Sequence, residues 1–393
     1  METALTNSHE SPAMDALFTE VSTLIQKARM HAAATVSRDE VYAKYLIGRY
    51  IVIYEQQGAD RARYGGQVLQ QLSRRLTEKF GAGWSYINLK NIRQFYTVYA
   101  HRITDAGPFG DELAKQCLAN SPTRPGDAKH SPFHPETFPG GAGNGTDVSL
   151  RGRGFNLSWS HYLILMRIED PSARNFYEIE CTQQQWSVRQ LSRQVGSSLY
   201  ERLALSRSPE QVMRLAREGQ TVEKPADLIK DPITLEFLGL RPDVTYTESR
   251  LENAIISRMQ QFMLELGKGF LFEARQKRFT FDEQHYYIDL VFYNRLLQCY
   301  VLIDLKTGRL SHQDLGQMQM YVNYFDRYIK QDFEKPTIGI LLCESKNDAL
   351  VELTLPPDSH IYASAYQLYL PDKALLQNKV REWIEEFNRA QTT

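Results

Sequence analysis

Three charged side chains stand in strand-like stretches whose other residues are mostly apolar or aromatic. Asp289 lies in YYIDLVFYN, residues 286–294, and Asp304 and Lys306 lie in CYVLIDLKTG, residues 299–308. Burying an unpaired carboxylate costs several kcal/mol, so each aspartate needs a cation, a metal ion or water as a partner. These residues are therefore the first candidates for a functional site.

The connection NRLLQ, residues 294–298, is short enough to join the two stretches as an antiparallel hairpin. Alternation along the first strand places Ile288, Leu290 and Phe292 on one face and Asp289 on the other. The hairpin would bring Asp289 close to Asp304 and Lys306, which share one face of the second strand. Two neighbouring carboxylates repel each other, and a divalent cation between them removes that penalty.

Oxygen ligands favour Mg²⁺ or Mn²⁺ over zinc, so the predicted cofactor is Mg²⁺ or Mn²⁺. Lys306 can orient an attacking water, accept its proton if the lysine pKa is depressed, or stabilise the charge of a pentacovalent phosphate. The alternative for these residues is a buried Asp–Lys salt bridge with Asp289 at a strand end.

Two flanking helices favour the chemical interpretation over the salt bridge. The helix before the hairpin supplies Glu252 in SRLENAI, with Glu248 one turn earlier. The helix after it supplies Gln317 and Tyr321, which lie on one helix face because they are four residues apart. All of these residues flank the same hairpin.

The elements that must position these residues follow from the hydrophobic pattern. From residue 248 the sequence predicts the order α-β-β-β-α-β, then mixed structure and a final helix, which is an α/β sandwich around a small central sheet. Residues 13–100 and 155–205 have helical periodicity, whereas the Gly- and Pro-rich residues 103–154 lack it and are predicted to be an insert. We therefore predict a helical domain at 13–220, a linker at 221–245 and a second domain at 246–393.

The helical region carries a local excess of positive charge. Residues 41–100 contain nine basic and three acidic side chains, although the net charge of the whole chain is −1. The break FGAGWS between two predicted helices fits a helix-turn-helix, and an excess of this kind suits a polyanion. The candidate DNA-binding residues are Arg74, Arg75, Asn88, Lys90, Asn91, Arg93 and Gln94. A basic, solvated helical bundle or a dimerisation domain is the alternative.

Taken together, the chemical residues resemble the PD-(D/E)XK nuclease superfamily. The resemblance rests on Glu252, Asp289, Asp304-Leu305-Lys306 and Gln317 with Tyr321. The blocks FMLELGKGFLFEARQ, YYIDLVFYN, CYVLIDLKTG and GQMQMYVNYF more closely resemble the YhcG-like family, which joins an N-terminal helical domain to a C-terminal nuclease domain. One departure is IDLK at residues 303–306, where Glu is more usual in this family than Asp304.

The resemblance implies a restriction-endonuclease-like fold and metal-dependent hydrolysis of phosphodiester bonds in DNA. Asp289 and Asp304 would bind the metal with the Leu305 carbonyl as a third ligand, and Glu252 would help to hold it. Lys306 would position the water. Gln317 would orient the site or contact the phosphate, and Tyr321 is either part of the site or packing.

We therefore predict a cytoplasmic Mg²⁺-dependent DNA endonuclease that acts in defence against foreign DNA, such as phage DNA, or in recombination and repair. Cutting both strands of a duplex with single-site subunits favours a homodimer. An unregulated nuclease would damage its own cell, so a regulatory or restriction-modification partner is expected.

The cysteines lack metal-ligand spacing and no apolar stretch of about 18 residues predicts a membrane span. The alternative is a catalytically inactive protein that binds DNA or a partner through the nuclease fold. A glycosidase-like carboxylate pair leaves Lys306 and the basic helices without a role.

Overall fold

A computed structural model describes residues 40–52, 55, 65–100, 154–205, 209–356 and 358–392. Residues 13–39, at the start of the region predicted to be helical, and nearly all of the insert at 103–154 lie outside these ranges. The chain divides into two compact units, one of residues Met1–Asp170 with Cys181–Val188 and one of Pro171–Glu180 with Arg189–Thr393. None of the helices described is long and apolar enough to cross a membrane.

Four helices account for most of the described part of the first unit. They are α1 (residues 40–52), α2 (Gly65–Phe80), α3 (Tyr86–Tyr99) and α4 (Trp159–Leu165). Ile51, Leu69, Leu89 and Ile92 form a buried apolar cluster between them. The turn between α2 and α3 contains Gly81 and Gly83, both with positive φ, and the Ser85 side chain caps α3 by accepting a hydrogen bond from the Asn88 N–H. The predicted helix–Gly–helix arrangement is therefore present, although no finding shows that it acts as a helix-turn-helix.

The second unit begins with helices and continues into a six-stranded sheet. Its helices before the sheet are α5 (Pro171–Gln184), whose last residues belong to the first unit, α6 (Val188–Gly196), α7 (Leu199–Leu205) and α8 (Pro209–Glu218). The strands are β1 (Ile233–Thr234), β2 (Phe270–Phe281), β3 (Gln284–Asn294), β4 (Cys299–Arg309), β5 (Ile338–Ser345) and β6 (Ile361–Gln367). The remaining helices are α9 (Glu248–Ser257), α10 (Met259–Leu266), α11 (His312–Tyr328), α12 (Asp348–Thr354) and α13 (Lys373–Thr392).

The strand order is β1-β6-β5-β4-β3-β2. Strands β2, β3 and β4 pair antiparallel, and β4, β5, β6 and β1 pair parallel. The predicted order α-β-β-β-α-β is confirmed, with one refinement: the first helix divides into α9 and α10 at Arg258, whose backbone (φ −125, ψ 30) is not helical. Helices cover both sheet faces, since β4 sends Ile303 and Leu305 into one apolar cluster and Leu302 into another.

The predicted face assignment along β3 is wrong at one residue. Leu290 and Phe292 share one apolar cluster, as alternation predicts, but Ile288 packs into the opposite cluster with Val291. The β3–β4 pairing ends at Leu290–Ile303. Beyond that point β3 is paired with β2 alone, as Lys277↔Ile288, and Ile288 no longer follows the face set by Leu290 and Phe292.

The stretch predicted as a linker contributes to the sheet unit. Residues 233–234 of this stretch form β1, which pairs with Tyr366 and Gln367 of β6. Leu228, Lys230 and Ile233 are buried. The compact unit that holds the sheet thus begins well before residue 246 in the described chain.

A buried cluster of charges joins the helices of the second unit to its sheet. Glu265 of α10 is fully buried, and its carboxylate lies 2.6 Å from Arg202 Nη1 of α7 and 3.0 Å from Arg193 Nη1 of α6. The Thr234 N–H also donates to it at 3.0 Å. Burial by itself would raise the pKa of Glu265, but Arg202, Lys230 and Arg193 lower it to about 2.

Glu265→Gln is expected to lower the free energy of unfolding by about 3–5 kcal/mol, because it leaves the buried Arg202 guanidinium without its counter-charge. Urea-induced unfolding of the full chain, followed by circular dichroism, measures this difference. Asp243→Asn is the matched control, since it removes a carboxylate from the exposed Arg241–Asp243 pair, and it is expected to leave the transition unchanged.

The difference in the free energy of unfolding between wild type and Glu265→Gln should also depend on pH. The ordinary pKa of the glutamate is 4.5 and its folded value is about 2. Stabilisation by the ionised carboxylate is therefore fully present above pH 4.5 and is lost as the pH falls toward 2. Equal stability of the two proteins near neutral pH would contradict the role we assign to this cluster.

Candidate active site

Asp289 and Asp304 come together where β3 and β4 stop pairing. Asp289 Oδ2 accepts a hydrogen bond of 2.8 Å from the Leu305 backbone N–H, one residue beyond Asp304. Asp304 is only 3% exposed. Burial, and after it the negative charge of Asp289, raises the pKa of Asp304 to about 7, although Lys306 acts in the opposite direction. The hairpin thus brings the two carboxylates together, as the spacing predicts.

Lys306 lies beside this carboxylate pair. Its Nζ is 2.8 Å from Asp304 Oδ2, and 3.9 Å from both Glu248 Oε2 and Asp314 Oδ1. Burial alone would lower the pKa of Lys306, but Asp304, Glu248 and Asp314 together raise it above its ordinary value. The neighbouring carboxylates therefore favour the ammonium form of Lys306 over the neutral amine.

Glu252 enters the site from α9 and is held by two residues of β2. It is 4% exposed, and its Oε2 accepts a hydrogen bond of 2.7 Å from Gln276 Nε2. The same Nε2 donates to Asp289 Oδ1 at 2.8 Å. Arg275 Nε lies 2.9 Å from Glu252 Oε1, forming an ion pair without the alignment of a hydrogen bond.

Gln276 is a site residue that the sequence analysis missed. It lies in FLFEARQKRFTF, where polar and charged residues of an edge strand surround it. No local pattern distinguishes it from Glu273, Arg275 or Lys277. Its contacts depend on α9 and β3, which lie 24 and 13 residues away along the chain.

Gln317 and Tyr321 of α11 are linked to each other and to β3 by hydrogen bonds. The Gln317 amide donates to the Tyr321 hydroxyl, and that hydroxyl donates to the Tyr287 carbonyl oxygen at 2.9 Å. Tyr321 is 1% exposed. Tyr321 therefore packs α11 onto β3 and accepts a hydrogen bond from the Gln317 amide, and its part in the site stays a prediction.

No group of three or more His, Cys, Asp or Glu side chains in the described chain is arranged to hold a metal ion. What the structure does show is the close pair of Asp289 and Asp304. The pKa of Asp304 is raised, first by burial and then by the negative charge of Asp289. A hard divalent cation favours such oxygen donors and would relieve this repulsion. The donor chemistry of the pair fits Mg²⁺ or Mn²⁺, and the Gln276 amide stands between Asp289 and Glu252.

The candidate DNA-binding residues all lie on α2 and α3 of the first unit. Arg74, Arg75, Lys90 and Gln94 are exposed, whereas Asn88, Asn91 and Arg93 are half-buried. Arg93 forms an ion pair with Glu55 at 3.0 Å, and the Asn88 amide donates to the Gly83 carbonyl. The four exposed residues are thus the ones most accessible to a ligand, and the contact with DNA stays a prediction.

Comparison with known families divides the chain into two matched regions. Residues 226–381 match the YhcG PDDEXK nuclease domain. Residues 20–109 and 145–202 match the DUF1016 N-terminal domain. The gap in the second match, residues 110–144, falls inside the predicted Gly- and Pro-rich insert.

The protein named "Putative nuclease YhcG" from Escherichia coli (strain K12) is 34% identical over 359 residues, which cover 91% of this chain and 91% of that protein. Among solved structures, a repair endonuclease from Pyrococcus abyssi is 17% identical, with a TM-score of 0.23 over 34% of this chain and 50% of that one. The EndoMS-dsDNA2 complex is 18% identical, with a TM-score of 0.23 over 33% of this chain and 48% of that one. These two likenesses are too low to carry an argument.

The nuclease-domain match covers the sheet and every candidate catalytic residue, and the E. coli relative extends the likeness over most of the chain. The chain belongs to the family of YhcG PDDEXK nucleases that carry a DUF1016 N-terminal domain.

Proposed function

We propose that this protein is a DNA endonuclease that hydrolyses phosphodiester bonds with Mg²⁺ or Mn²⁺ as its cofactor. The observation that carries the proposal is the meeting of Asp289, Asp304 and the Lys306 ammonium at one point of the sheet. Membership of a PDDEXK nuclease family supports it, as does the name of the E. coli relative.

In this mechanism Asp289 and Asp304 hold the metal ion, with the Leu305 carbonyl as the proposed third ligand. When bound, the ion supplies a water of lowered pKa and Lewis-acid stabilisation of the phosphoryl oxygens. Lys306 positions the attacking water and stabilises the negative charge that develops on the phosphate, since its surroundings keep it protonated. Gln317, held by Tyr321, orients the site or contacts the phosphate.

Asp304 is one methylene shorter than the glutamate that is more usual in this family. In this chain the Asp304 carboxylate lies 2.8 Å from Lys306 Nζ. It is also close enough to Asp289 for the negative charge of Asp289 to raise its pKa. The shorter side chain thus preserves the two interactions that the proposed chemistry needs from this position.

Lys306→Ala is expected to lower the rate of plasmid cleavage at least about 100-fold in the presence of Mg²⁺ or Mn²⁺, because it removes the cation beside the developing charge. Conversion of supercoiled plasmid to nicked and linear forms measures the rate. Chelation of divalent ions should abolish cleavage by the wild type, and added Mn²⁺ should restore it.

Lys335→Ala is the matched control, since Lys335 is an exposed lysine outside the carboxylate cluster, and it should cut at the wild-type rate. If Lys306→Ala cuts as fast as wild type, the proposed mechanism is wrong. If wild type leaves every form of DNA intact with either metal, the protein is instead a non-catalytic DNA- or partner-binding protein built on the nuclease fold.

We also propose that α2 and α3 bind the DNA backbone through their exposed basic side chains. Arg74 and Arg75 lie next to each other on α2, and Lys90 lies on α3 one turn before Gln94, whose neutral amide can donate a hydrogen bond to a phosphate. Apart from Glu78 the acidic residues of this region are few, so phosphate oxygens are the natural partners of these cations.

The double substitution Arg74→Ala, Arg75→Ala should weaken binding to duplex DNA about equally for different sequences. It should also reduce the slope of log K against log salt concentration by about 2, because two phosphates would no longer be neutralised by arginine. Fluorescence anisotropy with a labelled duplex in EDTA, which prevents cleavage, measures both quantities.

Arg214→Ala is the control for this experiment. Arg214 is also exposed, but it is already paired with Glu218 and Glu223, so its removal should not change the salt dependence. An unchanged salt slope in the double variant would show that α2 does not contact the phosphates.

The wider biological setting that we propose is defence against foreign DNA or recombination and repair, in the cytoplasm, under control of a partner protein or of host DNA modification. Because a single site cuts one strand at a time, we expect the protein to act as a homodimer. Multi-angle light scattering of the full chain should give twice the monomer mass, and a single species of monomer mass would contradict the dimer.

A further inference from the structure

The side-chain amide of Gln276 bridges two carboxylates of the candidate site. Its Nε2 donates to Glu252 Oε2 at 2.7 Å and to Asp289 Oδ1 at 2.8 Å. One amide nitrogen carries two hydrogens, so both bonds can form at once. The amide thereby sets the distance between a buried glutamate on α9 and an aspartate on β3.

The backbone of Gln276 has a conformation that side-chain-bearing residues seldom adopt. Its φ is +46, in the left-handed region, while its neighbours continue the β2–β3 ladder as Arg275↔Leu290 and Lys277↔Ile288. A residue of this kind within a paired strand costs free energy, and such costs concentrate at functional sites. Gln276 lies between those two pairs, at the level of Asp289.

The bridge belongs to a continuous set of contacts that fixes Asp289 at both oxygens. Oδ1 is held by Gln276 and Oδ2 by the Leu305 N–H at 2.8 Å. Behind the bridge, Glu252 is held by Arg275 Nε at 2.9 Å. Arg275 Nη2 in turn donates to Asn253 Oδ1 on the same helix, at 3.2 Å.

We propose that Gln276 is a positioning residue that presents Asp289 to a divalent cation, with Glu252 as its anchor. Hydrogen bonds to carboxylates favour their ionised form and fix the direction of the metal-binding oxygens. Glu252 then acts through the amide of Gln276 and not as a direct ligand, which agrees with the lack of a three-carboxylate metal cluster in the described residues. This inference rests on the proposed metal-dependent function and adds a residue to it.

The test is calorimetric titration of the metal-free full chain with Mn²⁺, in the absence of DNA. Gln276→Ala and Gln276→Gly should each bind Mn²⁺ about 10- to 100-fold more weakly than wild type, as is usual when a residue that orients a metal ligand is removed. The glycine variant tolerates a positive φ, so it removes the amide without backbone strain and guards against a loss caused by misfolding.

Gln284→Ala is the matched control, because Gln284 is a glutamine at the start of β3 whose side chain contacts Tyr286 and not the carboxylates. It should bind Mn²⁺ as wild type does. Thermal unfolding of all four proteins without metal separates a loss of stability from a loss of metal positioning. If Gln276 had a structural role alone, the unfolding midpoint of the alanine variant would shift, and the glycine variant would bind Mn²⁺ with the affinity of wild type.

Mn²⁺ affinity in Gln276→Gly equal to that of wild type would overturn the inference, as would a wild type that does not bind Mn²⁺. Plasmid cleavage, measured in parallel, distinguishes failure of this inference about Gln276 from failure of the proposed endonuclease function. If wild type binds Mn²⁺ and cuts no DNA, the endonuclease proposal fails while the role of Gln276 is decided by the titration alone.

Discussion

The close approach of the half-buried Asp289 to the buried Asp304 is the constraint on which the site depends. Bringing two like charges together away from water is unfavourable, and the pKa of Asp304 near 7 is its direct consequence. The fold limits this cost with three donors taken from two strands: the Leu305 N–H and the Lys306 ammonium of β4, and the Gln276 amide of β2. What the donors leave uncompensated is the negative charge that a divalent cation would neutralise.

Two buried charge clusters in the second unit illustrate opposite uses of the same chemistry. Around Glu265, two guanidinium groups surround one buried carboxylate, and the cluster is compensated from within. Its pKa is correspondingly depressed. Around Asp304, carboxylates outnumber cations and the pKa moves upward. The first arrangement joins helices to a sheet, and the second stores an excess of negative charge where the proposed function requires a metal.

The charge of Lys306 follows from the same imbalance. The effect of the neighbouring carboxylates on the pKa of Lys306 outweighs that of burial, and it favours the protonated form of the amine. That favours the lysine as a positioning and charge-stabilising group. A lysine at the same place on the strand with only apolar neighbours would have its pKa lowered. The proposed charge-stabilising role of Lys306 therefore depends on its contacts with Asp304, Glu248 and Asp314.

The sequence by itself determined the order α-β-β-β-α-β from residue 248 and the meeting of Asp289 with Asp304 and Lys306. Both are local properties, because hydrophobic periodicity specifies each element and a short hairpin connection fixes which residues lie opposite each other. Only the tertiary structure decided that Gln276 bridges two carboxylates, that Ile288 leaves the expected face, and that residues around Ile233 join the sheet. These depend on contacts between distant parts of the chain and on burial, and neither is written in the pattern of any one segment.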